Sequence, residues 1–365
     1  MNSPTDQSSR LGMFYWQVDR PFNARETKEV FLDRYAAISE SEAIQAVEYG
    51  LSRAGFSQAD SKVNNIRLPE KSFSSVNLIF FATLPGNREV IIRIHPRNIK
   101  NGYFWAERLA AKMARKQDVP VYETYYVNDS REIFPFDFMI IERLPGNNIK
   151  SLWPLDPNLE KNLLEQTGEY LAGIHQVKTV NYGFFNNGYA KTNEVLQGIY
   201  PKWTDHFLAA YEKNLKYLLD NQVITKDDWQ KIVNIIGSHT DLVKCDSPRL
   251  IHNDLADWNE LTDGINVTGI LDWDECFSGD PVMDFAQWSV FFPYERMEHL
   301  IRGYQKVADL PEAYQEKLHL YRLRYIVSKS VSRHMKQVFA PNETYKSMLE
   351  YALKILKDEF VWYGL

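Results

Sequence analysis

The chain has 365 residues, more than one small core uses, so two domains or lobes are expected. Lys and Arg number 42 against 48 Asp and Glu, a net charge of −6 with no basic stripe, which argues against a nucleic-acid partner and slightly favours a cationic small molecule. Two cysteines, Cys245 and Cys276, argue against a disulfide framework and fit a reducing, cytoplasmic setting; the opening residues lack the basic and apolar segments of a secretory signal, and no apolar run approaches the ~18 residues of a membrane span.

Residues 1–40 read as a polar N-terminal arm. "SESEAIQAVEYGLSRAGF" opens with a capping signal, Ser39 or Ser41 with an acid close behind. It repeats Ala43, Val47 and Leu51 at four-residue spacing, which predicts a helix over 41–54. Apolar runs at 75–84, 89–95, 121–127 and 136–144 read as strands, with "LPGN" turning the first into the second. "GYFWAERLAAKMARKQ" is rich in helix formers and lies between the second and third. Residues 41–144 are therefore expected to form a small, mainly antiparallel sheet with one inserted helix.

After "LPGNN" the pattern changes to helical. Leu159, Leu163, Tyr170 and Ile174 share one face, and Trp203, Phe207, Tyr211 and Leu215 share another in a helix starting at Pro201. "TKDDWQKIVNII" and most of 295–360 are also helical, with short strands at 249–252 and 267–272. The expected fold class is α+β: a small antiparallel β-rich lobe over 41–144, then a larger, mainly helical lobe over 145–365.

Chemistry concentrates in "LIHNDLADWNELTDG", Leu250 to Gly264. A strand delivers His252, a loop carries Asp254 and Asn259, and a hairpin through "TDGIN" returns the chain along "VTGILDWD", setting Asp272 beside Asn259. A carboxylate, an amide oxygen and a second carboxylate then converge. Mg²⁺ takes such oxygen ligands together with substrate phosphates. Asn259 and Asp272 suit that role, which leaves Asp254 to orient or deprotonate a hydroxyl, the division of labour of phosphoryl transfer.

"HNDLADWN" matches the H-x-D-x-x-x-x-N catalytic loop of kinase-like phosphotransferases. With "ILDWDECFSGDPVMDFAQW" downstream, the chain resembles the aminoglycoside phosphotransferase and choline kinase superfamily, and its layout is similar to that of hygromycin B phosphotransferases. The specific motif core covers about 40 residues; a looser likeness covers most of 60–340. The resemblance implies a two-lobed protein-kinase-like fold, ATP (with GTP left open) and Mg²⁺. It implies Asp254 as the catalytic aspartate, Asn259 and Asp272 at the metal, His252 bracing the loop and Asp284 pinning it. Where a protein kinase has Asp-Phe-Gly this chain has Asp272-Trp273-Asp274, which favours a small-molecule acceptor.

In the first lobe the same resemblance assigns Arg93 of "EVIIRIH" to the nucleotide phosphates in place of lysine, with Glu107 as its partner. The fork of an arginine changes the geometry of that contact. No glycine-rich loop is present; Ser74 and Ser75 of "EKSFSSVN" stand there to donate backbone N–H or hydroxyl hydrogen bonds to the phosphates, and Glu142 to Leu144 would offer backbone groups to adenine. Asp257, Asp274, Glu275 and Asp280 are candidates for binding a cationic acceptor, or else plain surface acids. His175 is assigned packing only. The leading expectation is phosphorylation of a hydroxyl on an aminoglycoside-type antibiotic. A metabolic kinase of choline, a sugar or an amino alcohol and a nucleotide-sensing pseudokinase are the alternatives.

Overall fold

The computed structural model describes residues 38–69, 77–97, 100–339 and 341–365. Ser74 and Ser75, and the N-terminal arm up to residue 37, lie outside the described residues. The first helix, α1 (Glu40–Arg53), starts at Ser39, whose hydroxyl accepts from Glu42 N while the Glu42 carboxylate accepts from Ser39 N. Such a reciprocal cap is worth about 1 kcal/mol. Its buried face, Ala43, Ala46, Val47, Gly50 and Leu51, lies on the sheet. A Cβ at Gly50 would overlap Ile140 and Tyr126, so glycine sets how closely helix and sheet approach.

The sheet contains β1 (Asn65–Arg67), β2 (Leu78–Thr83), β3 (Glu89–Ile94), β4 (Thr124–Asn128) and β5 (Phe138–Glu142), antiparallel in the order β1-β2-β3-β5-β4. Leu78, Phe80 and Ala82 of β2 alternate inward, as period-two patterning dictates. The expected turn holds Gly86 at φ 73°. Helix α2 (Phe104–Arg115) enters between β3 and β4. The edge strand β1, only three residues long, carries too little pattern to be read in advance.

The helical lobe begins after β6 (Asn147–Asn148) with α3 (Pro157–Gln176), capped by Asp156 with Pro157 in the first turn. Then come β7 (Tyr182–Phe185), α4 (Asn187–Asn193), β8 (Gly198–Tyr200), α5 (Trp203–Phe207), α6 (Tyr211–Asp220) and α7 (Lys226–Ser238). The single helix expected from Pro201 onward is broken in two, because Ala210 adopts φ 57° and starts a new helix. The motif region supplies β9 (Arg249–Ile251), β10 (Glu260–Thr262), β11 (Val267–Ile270), β12 (Phe277–Gly279) and α8 (Val282–Trp288). The chain closes with α9 (Tyr294–Gln305), α10 (Tyr314–Phe339) and α11 (Glu343–Trp362).

Two small antiparallel sheets, β11-β10-β6 and β8-β7-β12-β9, frame the motif region. Helices α3 and α9 cross where Gly168 and Gly303 leave no room for a Cβ between their backbones. One buried cluster joins α1 to one face of the five-stranded sheet; the other runs from α2 through the helical lobe. The molecule is an α+β, two-lobed, kinase-like fold.

Candidate active site

Strand β9 carries buried Leu250 and Ile251 to His252, and the loop 252–259 follows with Asn253 at φ 67°. Asp284, fully buried in the first turn of α8, holds that loop. It accepts from His252 N at 2.9 Å, from Asn253 N at 2.6 Å, and meets His175 Nε2 at 3.0 Å. A buried carboxylate without such partners would cost several kcal/mol, roughly, so its donors and the loop hold one another. His175, at the end of α3, is oriented in turn by Tyr304 Oη at 3.1 Å.

Burial lowers the pKa of His252 and keeps the ring neutral. Its Nε2 then donates to Leu271 O at 3.0 Å while Nδ1 accepts from Asp254 N at 3.3 Å, and Trp273 packs edge-on at 4.7 Å. The hairpin β10–β11 pairs Glu260 with Ile270, and Leu271 N donates to Asn259 O at 2.8 Å. Asp272 follows at φ 65° with its side chain 42% exposed.

Asn259 donates both Nδ2 hydrogens to Asp254, one to its carbonyl and one to Oδ2, each at 2.8 Å. That fixes the Asp254 carboxylate and leaves Asn259 Oδ1 without a hydrogen bond among the described residues. Burial first, then the Glu275 charge beside it, push the Asp254 carboxyl up to about 7. Lys329 of α10 opposes this from 3.9 Å, and it binds Glu275 at 3.1 Å.

Across the cleft, Arg93 of β3 is buried and donates to Glu107 of α2, which also accepts from Tyr122 Oη at 2.8 Å. Arg93 Nη2 lies 3.5 Å from Asp272 and 3.7 Å from Asp274. Burial alone would depress the guanidinium, but Glu107 and the other neighbouring charges raise it, so it stays charged. Asp274 is pushed well above the usual carboxylate range by burial and by Asp272. In the hinge, Glu142 N already donates to Glu123 O at 2.8 Å, so that amide is engaged inside the sheet rather than open to a base. Leu144 lies against Gly269 of β11, where a Cβ would fall 2.8 Å from its Cδ1.

Two of the four acids expected at the acceptor mouth are turned away from it. Asp257 is buried against Arg296, at 3.0 and 3.1 Å. Asp280 is buried against Lys317 at 2.8 Å and Tyr321 Oη at 3.0 Å. Their charges are answered inside the fold. Glu275 and Asp274 do lie at the site, each against a cation. Tyr122, Asn253 and Lys329 were not singled out from the sequence, and His175 was assigned packing only. Asn253 donates to Glu275 O at 3.1 Å and accepts from Tyr325 Oη. His175 and Lys329 lie some 80 residues either side of Asp254, and no local pattern distinguishes them from core or surface neighbours.

The sequence profile of the phosphotransferase enzyme family, APH, matches residues 74–330. The fold is similar to that of a thermostable aminoglycoside phosphotransferase APH(4)-Ia variant in ternary complex with ADP and hygromycin B. The TM-score is 0.64 at 17% identity, covering 86% of this chain and 98% of that one. It is also similar to APH(2")-IIa in its gentamicin complex (TM-score 0.56, 15% identity, 87% and 96% covered). A candidate fructosamine-3-kinase from Thermobifida fusca gives 0.57 at 17% identity, with 84% and 99% covered. No curated protein sequence matches the chain.

Proposed function

Because this chain belongs to the phosphotransferase enzyme family, we propose that it moves the γ-phosphate of ATP to a hydroxyl of a small molecule, with Asp254 receiving the hydroxyl proton. The observation that carries this reading is the double hydrogen bond from Asn259 to Asp254, both at 2.8 Å, with the hairpin returning Asp272 to the same point. A carboxyl with a pKa near 7 suits a general base at neutral pH. Bound Mg²⁺ would neutralise phosphate charge, and the residues fit it: Asn259 Oδ1 takes no hydrogen bond among the described residues and the Asp272 carboxylate is half exposed. Among the described residues no three His, Cys, Asp or Glu side chains form a metal cage, so such an ion would rely on the nucleotide for further ligands.

The chain's own residues divide the remaining work. Arg93, fixed by Glu107, meets the nucleotide phosphates; Tyr122 fixes Glu107. Asp284, His175 and His252 hold the loop so that Asp254 faces the hydroxyl along one direction. Lys329 offsets the charge of Asp254 and Glu275. ATP is favoured as donor because solved relatives hold AMP-PNP and ADP.

For the acceptor, relatives bound to hygromycin B and gentamicin support an aminoglycoside, and the candidate fructosamine kinase supports a sugar derivative. The acid count no longer supports a cationic one, since Asp257 and Asp280 are neutralised internally. The deciding experiment is ATP turnover by the whole chain over a panel of aminoglycosides, choline, neutral sugars and sugar acids. ADP formation that depends on an acceptor supports the reading. Tight ATP binding with no acceptor-dependent turnover would favour a nucleotide sensor.

A further inference from the structure

Helix α10 runs past the catalytic loop, with Tyr325 bound to Asn253 and Lys329 beside Asp254. One and two turns further on, the same face presents Arg333 and Lys336, the spacing that puts side chains in one row. Arg333 is 5% exposed, yet no carboxylate accompanies it among the described residues. Its partners are Met348 O at 2.9 Å and the face of Phe291 at 5.1 Å. Lys329 lies over the same Phe291 ring at 5.6 Å, and Trp258 of the catalytic loop packs on that ring at 5.0 Å. Lys336 lies within electrostatic reach of Lys329, Arg333, Glu275 and Asp254.

Buried cations in proteins are paired, because an isolated charge away from water costs several kcal/mol, roughly. Arg93 and Arg322 follow that rule with Glu107 and Glu359, and partly buried Arg296 has Asp257 and Glu160, whereas Arg324 of the same helix α10 meets the carbonyls of Phe207 and His206 instead. Arg333 likewise has no carboxylate among the described residues, and it stands about one helical turn, ~5 Å, beyond the ammonium that borders Asp254.

Resting on the phosphotransfer reading, we propose that the acceptor carries an anionic group, a carboxylate or a phosphate, which Arg333 receives with Lys329 and Lys336 while the acceptor hydroxyl faces Asp254. The aromatic wall of Trp258 and Phe291 would border its carbon skeleton. A polyamine acceptor would instead meet three cations.

The test uses the full chain saturated with ADP and magnesium and titrated calorimetrically with gluconate, glucose 6-phosphate, glucose, glucosamine and inorganic phosphate. Turnover with ATP is measured over the same sugars. The anionic members should bind at least tenfold tighter than glucose or glucosamine. Arg333→Met should remove that advantage while leaving ADP affinity within about twofold, and Arg333→Lys should retain part of it, which separates lost charge from lost fold. Equal binding of neutral and anionic members overturns the proposal, as does anion binding indifferent to Arg333→Met, or a loss of ADP affinity alone, which would assign the arginine to the nucleotide. Failure of the phosphotransfer reading shows separately, as absent turnover with every acceptor.

Discussion

In the catalytic loop the central buried charge, Asp284, is met by N–H groups: two backbone amides and the His175 ring. Across the cleft the central buried charge, Arg93, is met by carboxylates, with Glu107 bound and Asp272 and Asp274 within 3.7 Å. The first arrangement is geometric: each bond fixes a backbone position, and the loop can take one shape. The second is a balance of charge, in which one cation restrains three acids and a change in any member redistributes the rest. Position is therefore set on the helical side of the cleft, and charge is set on the sheet side.

The largest effect is expected where position becomes chemistry. Asp254→Asn should lower kcat by about two to four decades, the usual weight of general-base and positioning terms, while ATP affinity stays near wild type. Steady-state kinetics with the best acceptor, plus ATP calorimetry, would check both halves. Turnover within threefold of wild type would take Asp254 out of the reaction.

Next comes Asp284→Ala, which leaves two amides and His175 without their acceptor. Each orphaned donor costs about 1–3 kcal/mol, so the melting temperature should fall by several degrees and kcat should drop with it. ATP affinity should change less than either, because Arg93 is on the other wall. A variant with normal kcat and lowered stability would show that the loop keeps its shape without this anchor.

Arg93→Met tests the balance of charge. It leaves Glu107, Asp272 and Asp274 facing one another, so the KM for ATP should rise by roughly ten- to a hundredfold, about 1.4–2.7 kcal/mol of lost phosphate contact. Arg93→Lys should recover much of the charge term and less of the geometry, since an ammonium cannot span Glu107 and the acids as a planar fork does. Equal KM values for wild type and Arg93→Met would make the pair structural only.

How much of this could be read in advance depends on distance along the chain. The helix at Ser39, the strand pairing around "LPGN" and the hairpin joining Asn259 to Asp272 follow from local periodicity and caps, and they were legible. Asp257 and Asp280 show the limit. Their sequence neighbours are site residues, but Arg296 and Lys317 arrive from 39 and 37 residues further along the chain and turn both acids inward. Strands β7, β8 and β12 are three or four residues long and take their form from their neighbours, so propensity could not mark them. The break at Ala210 has no glycine or proline to announce it.

The smallest effect, and the one that separates the two walls by pH, concerns two buried histidines. His95 follows Arg93 on the sheet side, and His206 lies in α5 on the helical side. Burial first, then the Arg131 and Arg93 charges, lower the His95 pKa to about 3; burial and Arg324 lower that of His206 well below its usual value. An unfolded histidine takes a proton near pH 6.5, so below that the unfolded chain binds protons that the folded chain refuses. Each histidine's contribution is intact above pH 6.5 and falls as pH drops toward the folded pKa, by up to about 1.4 kcal/mol per pH unit. Glu260, raised to about 8 by burial and by Asp257, acts in the opposite sense, since the folded state keeps its proton as pH falls. The total slope therefore mixes signs, and a difference between variants isolates one residue. His95→Asn should melt with a shallower dependence on pH between 6.5 and 5 than wild type, whatever its absolute stability. Parallel curves for the two proteins would mean that His95 takes up its proton without unfolding the sheet that carries Arg93.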